Sequence, residues 1–193
     1  GTIDIMFAGT GGYSNFYSKA KIFDLPFLFN SAKEANEVVN GPVGEELFSG
    51  LKAFNLVYLA TGDNGMRHIS TSNKPINTVD DIKGLKVRVP EIDTYVALWK
   101  SWGAIVTPMP ITELYMALKT GVVNGQMNPA MYIKMGSLFE VQNYLTLANI
   151  QYSDQFLGAN GDMWNGFSPE LKKIIAGAAK KANALNREAM EKQ

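Results

Sequence analysis

Three short stretches carry residues whose types and spacing could hold an anion. In "GLKVRVPE", Leu85, Val87 and Val89 alternate with Lys86 and Arg88, and Pro90 ends the run. Such alternation marks a strand with two unlike faces, and proline, with no N–H for a ladder, stops it. Arg88 therefore stands at the carboxyl end of a strand. In "VVNGQMNP", Val122 and Val123 read as core, and Asn128 directly precedes Pro129. Asn128 then reads as the N-cap of a helix whose first N–H groups carry partial positive charge. In "DNGMRHIS", Arg67 sits on a strand leaving the first part of the fold. In open α/β sheets, ligands lie outside the carboxyl ends of the strands. Two arginines and a helix N-terminus meeting there would suit a carboxylate or phosphate, because the planar guanidinium pairs bidentately with such groups. Taken singly, each has a plainer reading. A strand-end arginine serves as a solvated or ion-paired surface residue, and an Asn-Pro pair serves simply to start a helix.

Other chemistries have thinner support. "GTGG" at Gly9–Gly12 lacks the Lys-Ser/Thr of a phosphate loop and the glycine spacing of a dinucleotide fingerprint, and reads as a turn. His68 is the only histidine, and no Gly-x-Ser-x-Gly nucleophile motif accompanies it. With no cysteine, a Cys/His zinc site and a disulfide framework are both excluded. Of the 193 residues, 46% are hydrophobic and 19% charged, the balance of a globular chain with a real core. The formal net charge is zero, so nothing holds a nucleic-acid backbone or an anionic membrane surface. No apolar run reaches the roughly 18–20 residues of a membrane span. The chain opens on strand-like residues, so a signal peptide is either absent or already removed.

The elements that must position these residues alternate between the two periods. "TIDIMFAG", "LVYLATG", "GLKVRVP", "AIVTPMP", "VVNGQMN" and "LTLAN" read as strands. Ser31 caps a helix through "AKEANEVVNG", and Pro42 opens another. Thr78–Gly84 reads as a compact helix, Asp80 and Asp81 in its first turn. "DTYVALWKSWG", Thr112–Gly121 and "PAMYIKMGSLFEVQNY" follow as helices, with the Trp99/Trp102 pair in the core. A long final helix starts at Ser168 and Pro169, with Leu171, Ile174, Ile175, Ala178, Ala182 and Leu185 as its apolar face. Strands alternating with helices over short connections predict an α/β protein with a largely parallel sheet.

Four blocks together carry a resemblance. "FDLPFLF", "DNGMRHISTSNKPINTVDDIKGLKVRVPE", "GAIVTPMPITELYMALKTGVVNGQMNP" and "FEVQNYLTL" closely resemble the solute-binding proteins of TRAP (tripartite ATP-independent periplasmic) transporters, over nearly the whole chain. The resemblance implies a two-lobed, periplasmic-binding-protein-like α/β fold with a hinge and a long helix spanning both lobes. It implies a periplasmic protein that captures a small organic carboxylate between its lobes and delivers it to membrane subunits. It implies no catalysis, cofactor, metal or nucleic acid, and no membrane-embedded part. Arg88 would pair with the substrate carboxylate, Asn128 would add a hydrogen bond, and Arg67 would line the same cleft. Glu91 could face a hydroxyl or amine of the ligand, or merely balance Arg88. Ile111, in the "PITELY" stretch, joins them as a candidate substrate-binding residue.

The lobe boundaries expected are 1–64 with 154–193 for the first lobe and 65–153 for the second. Met127 and Ile150 depart from the family pattern, which has glutamate in the first block and histidine just after the "LTLAN" strand in many members. Members of the family also begin with a further strand–helix–strand–helix segment and continue past the long helix. The chain is therefore expected to be a fragment with an incomplete first lobe. Two rivals remain: a binding protein of another transport class or a sensor domain using the same lobes, and an enzyme using Arg67 and His68 on a carboxylate.

Overall fold

A computed structural model of the chain describes residues 3–14 and 16–192. In chain order the elements are β1 (Ile5–Ala8), α1 (Ala32–Val39), α2 (Pro42–Ser49), β2 (Leu56–Thr71), β3 (Lys86–Val89), α3 (Asp93–Ser101), β4 (Ile105–Pro108), α4 (Ile111–Lys119), β5 (Gly125–Pro129), α5 (Ala130–Met135), β6 (Tyr144–Thr146), β7 (Tyr152–Asn160), α6 (Gly161–Gly166) and α7 (Pro169–Glu191). The chain divides into two compact units. One holds the residues up to Asp24, Leu28–Gly65 and those from Tyr152 onward; the other holds Leu25–Phe27 and Met66–Gln151.

In the first unit β1 runs antiparallel to β7, with Ile5 opposite Ala159 and Ala8 opposite Phe156. Its core is aromatic: Phe48 stacks on Tyr58 at 4.7 Å, and Tyr13 meets Phe156 edge-on at 4.4 Å. The helix starts follow local chemistry. The Ser31 hydroxyl accepts the Glu34 N–H at 3.2 Å, the Ser168 hydroxyl accepts the Leu171 N–H at 3.2 Å, and Pro42 sits in the first turn of α2. The predicted apolar face of α7 is not its buried face. Ala179 and Asn183 are the buried residues of this helix, while Ile174 and Leu185 are more than half exposed. The buried stripe is set by small and polar groups that reach β2, where the Arg187 guanidinium donates to the Thr61 carbonyl at 2.7 Å.

In the second unit the sheet is mixed rather than largely parallel. β3 is parallel to β4 and β5, whereas β5 and β6 both run against β2. Parallel pairing requires a long crossover, and β3–α3–β4 and β4–α4–β5 supply one each; β2 has no such link to its neighbours. The Thr78–Gly84 helix is a single 3-10 turn, Val79–Ile82, closed by a capping box between Thr78 and Asp81. Strand β5 begins only at Gly125, so Val123 is buried before it while Val122 is 56% exposed, not core.

The ladder registers sort this unit's side chains into two faces. Ile69, Val87, Val89 and Met127 lie on one and pack with Tyr95 and Trp99 of α3. His68 and Ser70 of β2 stand opposite Asn128 and Gln126 of β5, and Gln126 stands opposite Arg88 of β3. Those five residues therefore share the other face, a row of polar groups across three strands.

Candidate functional site

Arg88 is 3% exposed, at the β3 end of that polar row. Its Nε–H and one Nη2–H both donate to the Met109 carbonyl, at 2.9 and 2.7 Å. A guanidinium has five N–H donors, so the edge formed by Nη1 and the second Nη2–H is left for another acceptor. Among the described residues, no carboxylate lies within ion-pair distance of this group. Burial lowers its pKa to about 10, and the neighbouring Arg67 charge pushes the same way, against weaker opposition from Glu91 and Tyr95. A buried cation held by a neutral carbonyl and facing a second cation is costly to leave without an anion.

Arg67 pairs with Pro129 on the ladder and so stands at the end of β5. Its Nη1 reaches the Met127 carbonyl at 3.2 Å and the Asn128 side-chain oxygen at 3.0 Å. Its guanidinium carbon lies 5.2 Å from the centre of the Tyr95 ring, a cation–π contact. The structure thus joins Arg67 to Asn128 directly, with Arg88 close enough to feel Arg67's charge. Glu91 is exposed, and its relation to Arg88 is electrostatic only. Ile111, 47% exposed, is the first residue of α4.

Asn128 does not cap a helix. It lies within β5; the cap position of α5 falls to Pro129, which has no capping side chain. Its side chain, 4% exposed, is committed to a buried network instead. Asn128 Nδ2 donates to Gln126 Oε1 at 2.5 Å, and Gln126 Nε2 donates to Ser70 Oγ at 2.7 Å. The Ser70 hydroxyl donates to Gln142 Oε1 at 2.9 Å, and Gln142 Nε2 donates to the Val141 carbonyl at 3.1 Å. Gln126, Ser70, Gln142, Tyr95 and the Met109 carbonyl are the parts of this site that the sequence reading missed. Alternation along "GQMNP" puts Gln126 and Asn128 on one face, and that was the one available signal.

His68 is half-buried opposite Asn128, with Asn149 N–H 3.5 Å from its Nδ1. Burial lowers its pKa, so it is neutral at neutral pH. No group of three or more His, Cys, Asp or Glu among the described residues could hold a metal ion. Among them too, no helix is long and apolar enough to cross a membrane.

The model of the bacterial extracellular solute-binding proteins, family 7, matches residues 1–193. The 2,3-diketo-L-gulonate-binding periplasmic protein of Escherichia coli is 32% identical over 187 residues, which are 97% of this chain and 57% of that protein. A TRAP periplasmic solute-binding protein from Polaromonas, solved with D-erythronate, superposes with a TM-score of 0.94 at 36% identity, covering 97% of this chain and 62% of that one. The sugar acid binding protein of Advenella mimigardefordensis, solved with galactonate, superposes with a TM-score of 0.94 at 37% identity, over 98% of this chain and 61% of that one. The chain spans about three fifths of the length of these relatives.

Proposed function

This chain belongs to the bacterial extracellular solute-binding proteins of family 7, and on that premise we propose that it captures a small organic acid by its carboxylate at Arg88, for delivery to TRAP membrane subunits in the periplasm. The observation that carries this reading is the state of Arg88: buried, bonded on one edge to the Met109 carbonyl, without a carboxylate partner among the described residues, and beside a second arginine. A ligand carboxylate supplies the missing charge. It accepts two parallel N–H bonds from the open edge of the fork, and Arg67 and Asn128 add charge and a hydrogen bond from the side. The two compact units then correspond to the two lobes of the binding protein. The ligands seen in relatives, D-erythronate and galactonate, are hydroxylated acids, and this chain takes an acid of that class. Glu91 and Ile111 contribute at the rim, Glu91 toward a ligand hydroxyl.

The test is an isothermal titration of the full chain with D-erythronate, galactonate and 2,3-diketo-L-gulonate, beside Arg88→Ala. Leaving a buried carboxylate without its partner costs about 2–5 kcal/mol, so the variant should lose at least ~30-fold in affinity for whichever acid binds. A loss below about threefold would remove Arg88 from the centre of the reading.

A further inference from the structure

The hydrogen bonds beyond Asn128 run in one direction, and the direction is forced by their ends. A guanidinium can only donate, so Arg67 requires the Asn128 oxygen, Oδ1, to face it. Asn128 must then turn Nδ2 to Gln126, which must answer with Oε1. Gln126 Nε2 consequently meets the Ser70 oxygen, and the Ser70 proton is left to point at Gln142 Oε1. Gln142 closes the series by donating to the Val141 backbone carbonyl, which can only accept. Turning over any one of the three amides sets a donor against a donor or an acceptor against an acceptor. Gln126 is 0% exposed, Ser70 2%, Asn128 4% and Gln142 7%, so water cannot readily stand in for a lost partner.

We infer that Gln126, Ser70 and Gln142 are positioning residues that lock the orientation of the Asn128 amide, so that Asn128 presents an N–H donor to an incoming acid. The inference deepens the proposed capture of a carboxylate and rests on it for the identity of the ligand. Asn128 Oδ1 is spent on Arg67, and one N–H of Nδ2 is spent on Gln126. The second N–H is the one donor its side chain has left, and it suits a carboxylate oxygen, which only accepts. The series also polarises, each bond strengthening the next, which sharpens the donor at its head. Its far end lies on the segment after α5, which reaches Asn128 through Ser70 and Gln126.

Two measurements on the full chain test this. In the ligand-free, nitrogen-15-labelled protein, the Asn128 side-chain amide is identified by the signals that vanish in Asn128→Asp. Ser70→Ala cuts the series at its middle, and proton exchange at that amide should rise about tenfold. Gln142→Leu removes the acceptor for Ser70, and should raise the same exchange and weaken binding of galactonate or D-erythronate about five- to tenfold. Unchanged exchange in both Ser70→Ala and Gln142→Leu overturns the inference, as does binding of the acid by Gln142→Leu within about twofold of wild type. If neither acid binds the wild type, the carboxylate reading fails, and the exchange measurement still decides the orientation of Asn128.

Discussion

Two buried charges, one in each unit, are treated in opposite ways. Asp63 of the first unit is 2% exposed and fully engaged within the protein. One of its oxygens accepts the Gly65 N–H at 2.6 Å and the other accepts from Asn36 Nδ2 at 2.8 Å. Asn36 in turn accepts the Tyr152 hydroxyl at 2.8 Å. Gly65, at φ +87°, takes a backbone that other residues resist, and so brings its N–H back onto Asp63 two residues earlier. Burial raises the Asp63 pKa and these bonds restrain the rise. Arg88 of the second unit is as deeply buried, yet it has a carbonyl where Asp63 has a network. The charge of Asp63 is satisfied within the protein; that of Arg88, on the proposed reading, takes its partner from solution.

The contrast is broken most forcefully at Arg88. Arg88→Met removes a buried charge that costs the ligand-free protein stability, and its replacement fills much of the same volume. The ligand-free stability in urea should fall by no more than about 1–3 kcal/mol, the cost of the Met109 carbonyl's lost donors, while affinity for the acid falls at least ~30-fold. If stability falls sharply together with binding, Arg88 belongs to the framework, as Asp63 does, and the distinction collapses.

The reverse experiment is Asn36→Ala. It strips Asp63 of one donor and removes the Asn36 oxygen that accepts the Tyr152 hydroxyl. Leaving such groups unsatisfied costs about 1–3 kcal/mol, so urea unfolding should report a loss of that size. Binding per folded molecule should stay within about threefold.

A smaller effect sharpens the same point through pH. The folded Asp63 pKa is raised above the ordinary 3.8, so the folded state holds that proton more tightly than the unfolded chain does. Its contribution is therefore most favourable below pH 3.8, and it falls as pH climbs from there through the raised folded value. Urea unfolding from about pH 3 to about pH 7 should show Asp63→Asn gaining on the wild type as pH rises, with the difference level at the top of the range. A difference that stays constant over the whole range would mean that burial does not hold the carboxyl above its ordinary value.

Much of the frame was open to reading in advance, and the residues explain why. Ser31, Pro42, Ser168 and Pro169 start helices by contacts three or four residues long, so their meaning is local. The alternation of "LKVRV" likewise needs no partner strand. What escaped was everything that depends on register. β2 runs unbroken from Leu56 to Thr71, through a "DNG" that interrupts the apolar pattern. The polar row exists only because Ser70 stands opposite Gln126 and Gln126 opposite Arg88. Asn128 was misread as a cap because Asn-Pro before a helical stretch satisfies the local rule, while Arg67 and Gln126 claim its side chain from one strand away and two residues away. A backbone carbonyl such as that of Met109 leaves no trace in composition at all.

His68 supplies the smallest expected effect, and it bears on where the positive charge of the site comes from. The imidazole shares the face of Asn128, and a protonated His68 would be a third cation there, with the means to attract the acid by itself. Burial works against that charge and holds the ring neutral through neutral pH. Its stability contribution is then lost as pH falls below the ordinary 6.5, where the unfolded chain gains a proton first. Affinity for the acid should accordingly be flat between about pH 7 and about pH 8, and His68→Gln should change it less than about twofold. The same variant separates binding from chemistry, since an enzyme that used His68 as its base would lose turnover of the acid on substitution. An affinity that instead rises as the pH falls through this range, and loses that dependence in His68→Gln, would place a protonated imidazole beside the two arginines. The buried positive charge would then be shared among three groups, and Arg88 would no longer be the one charge whose partner comes from outside.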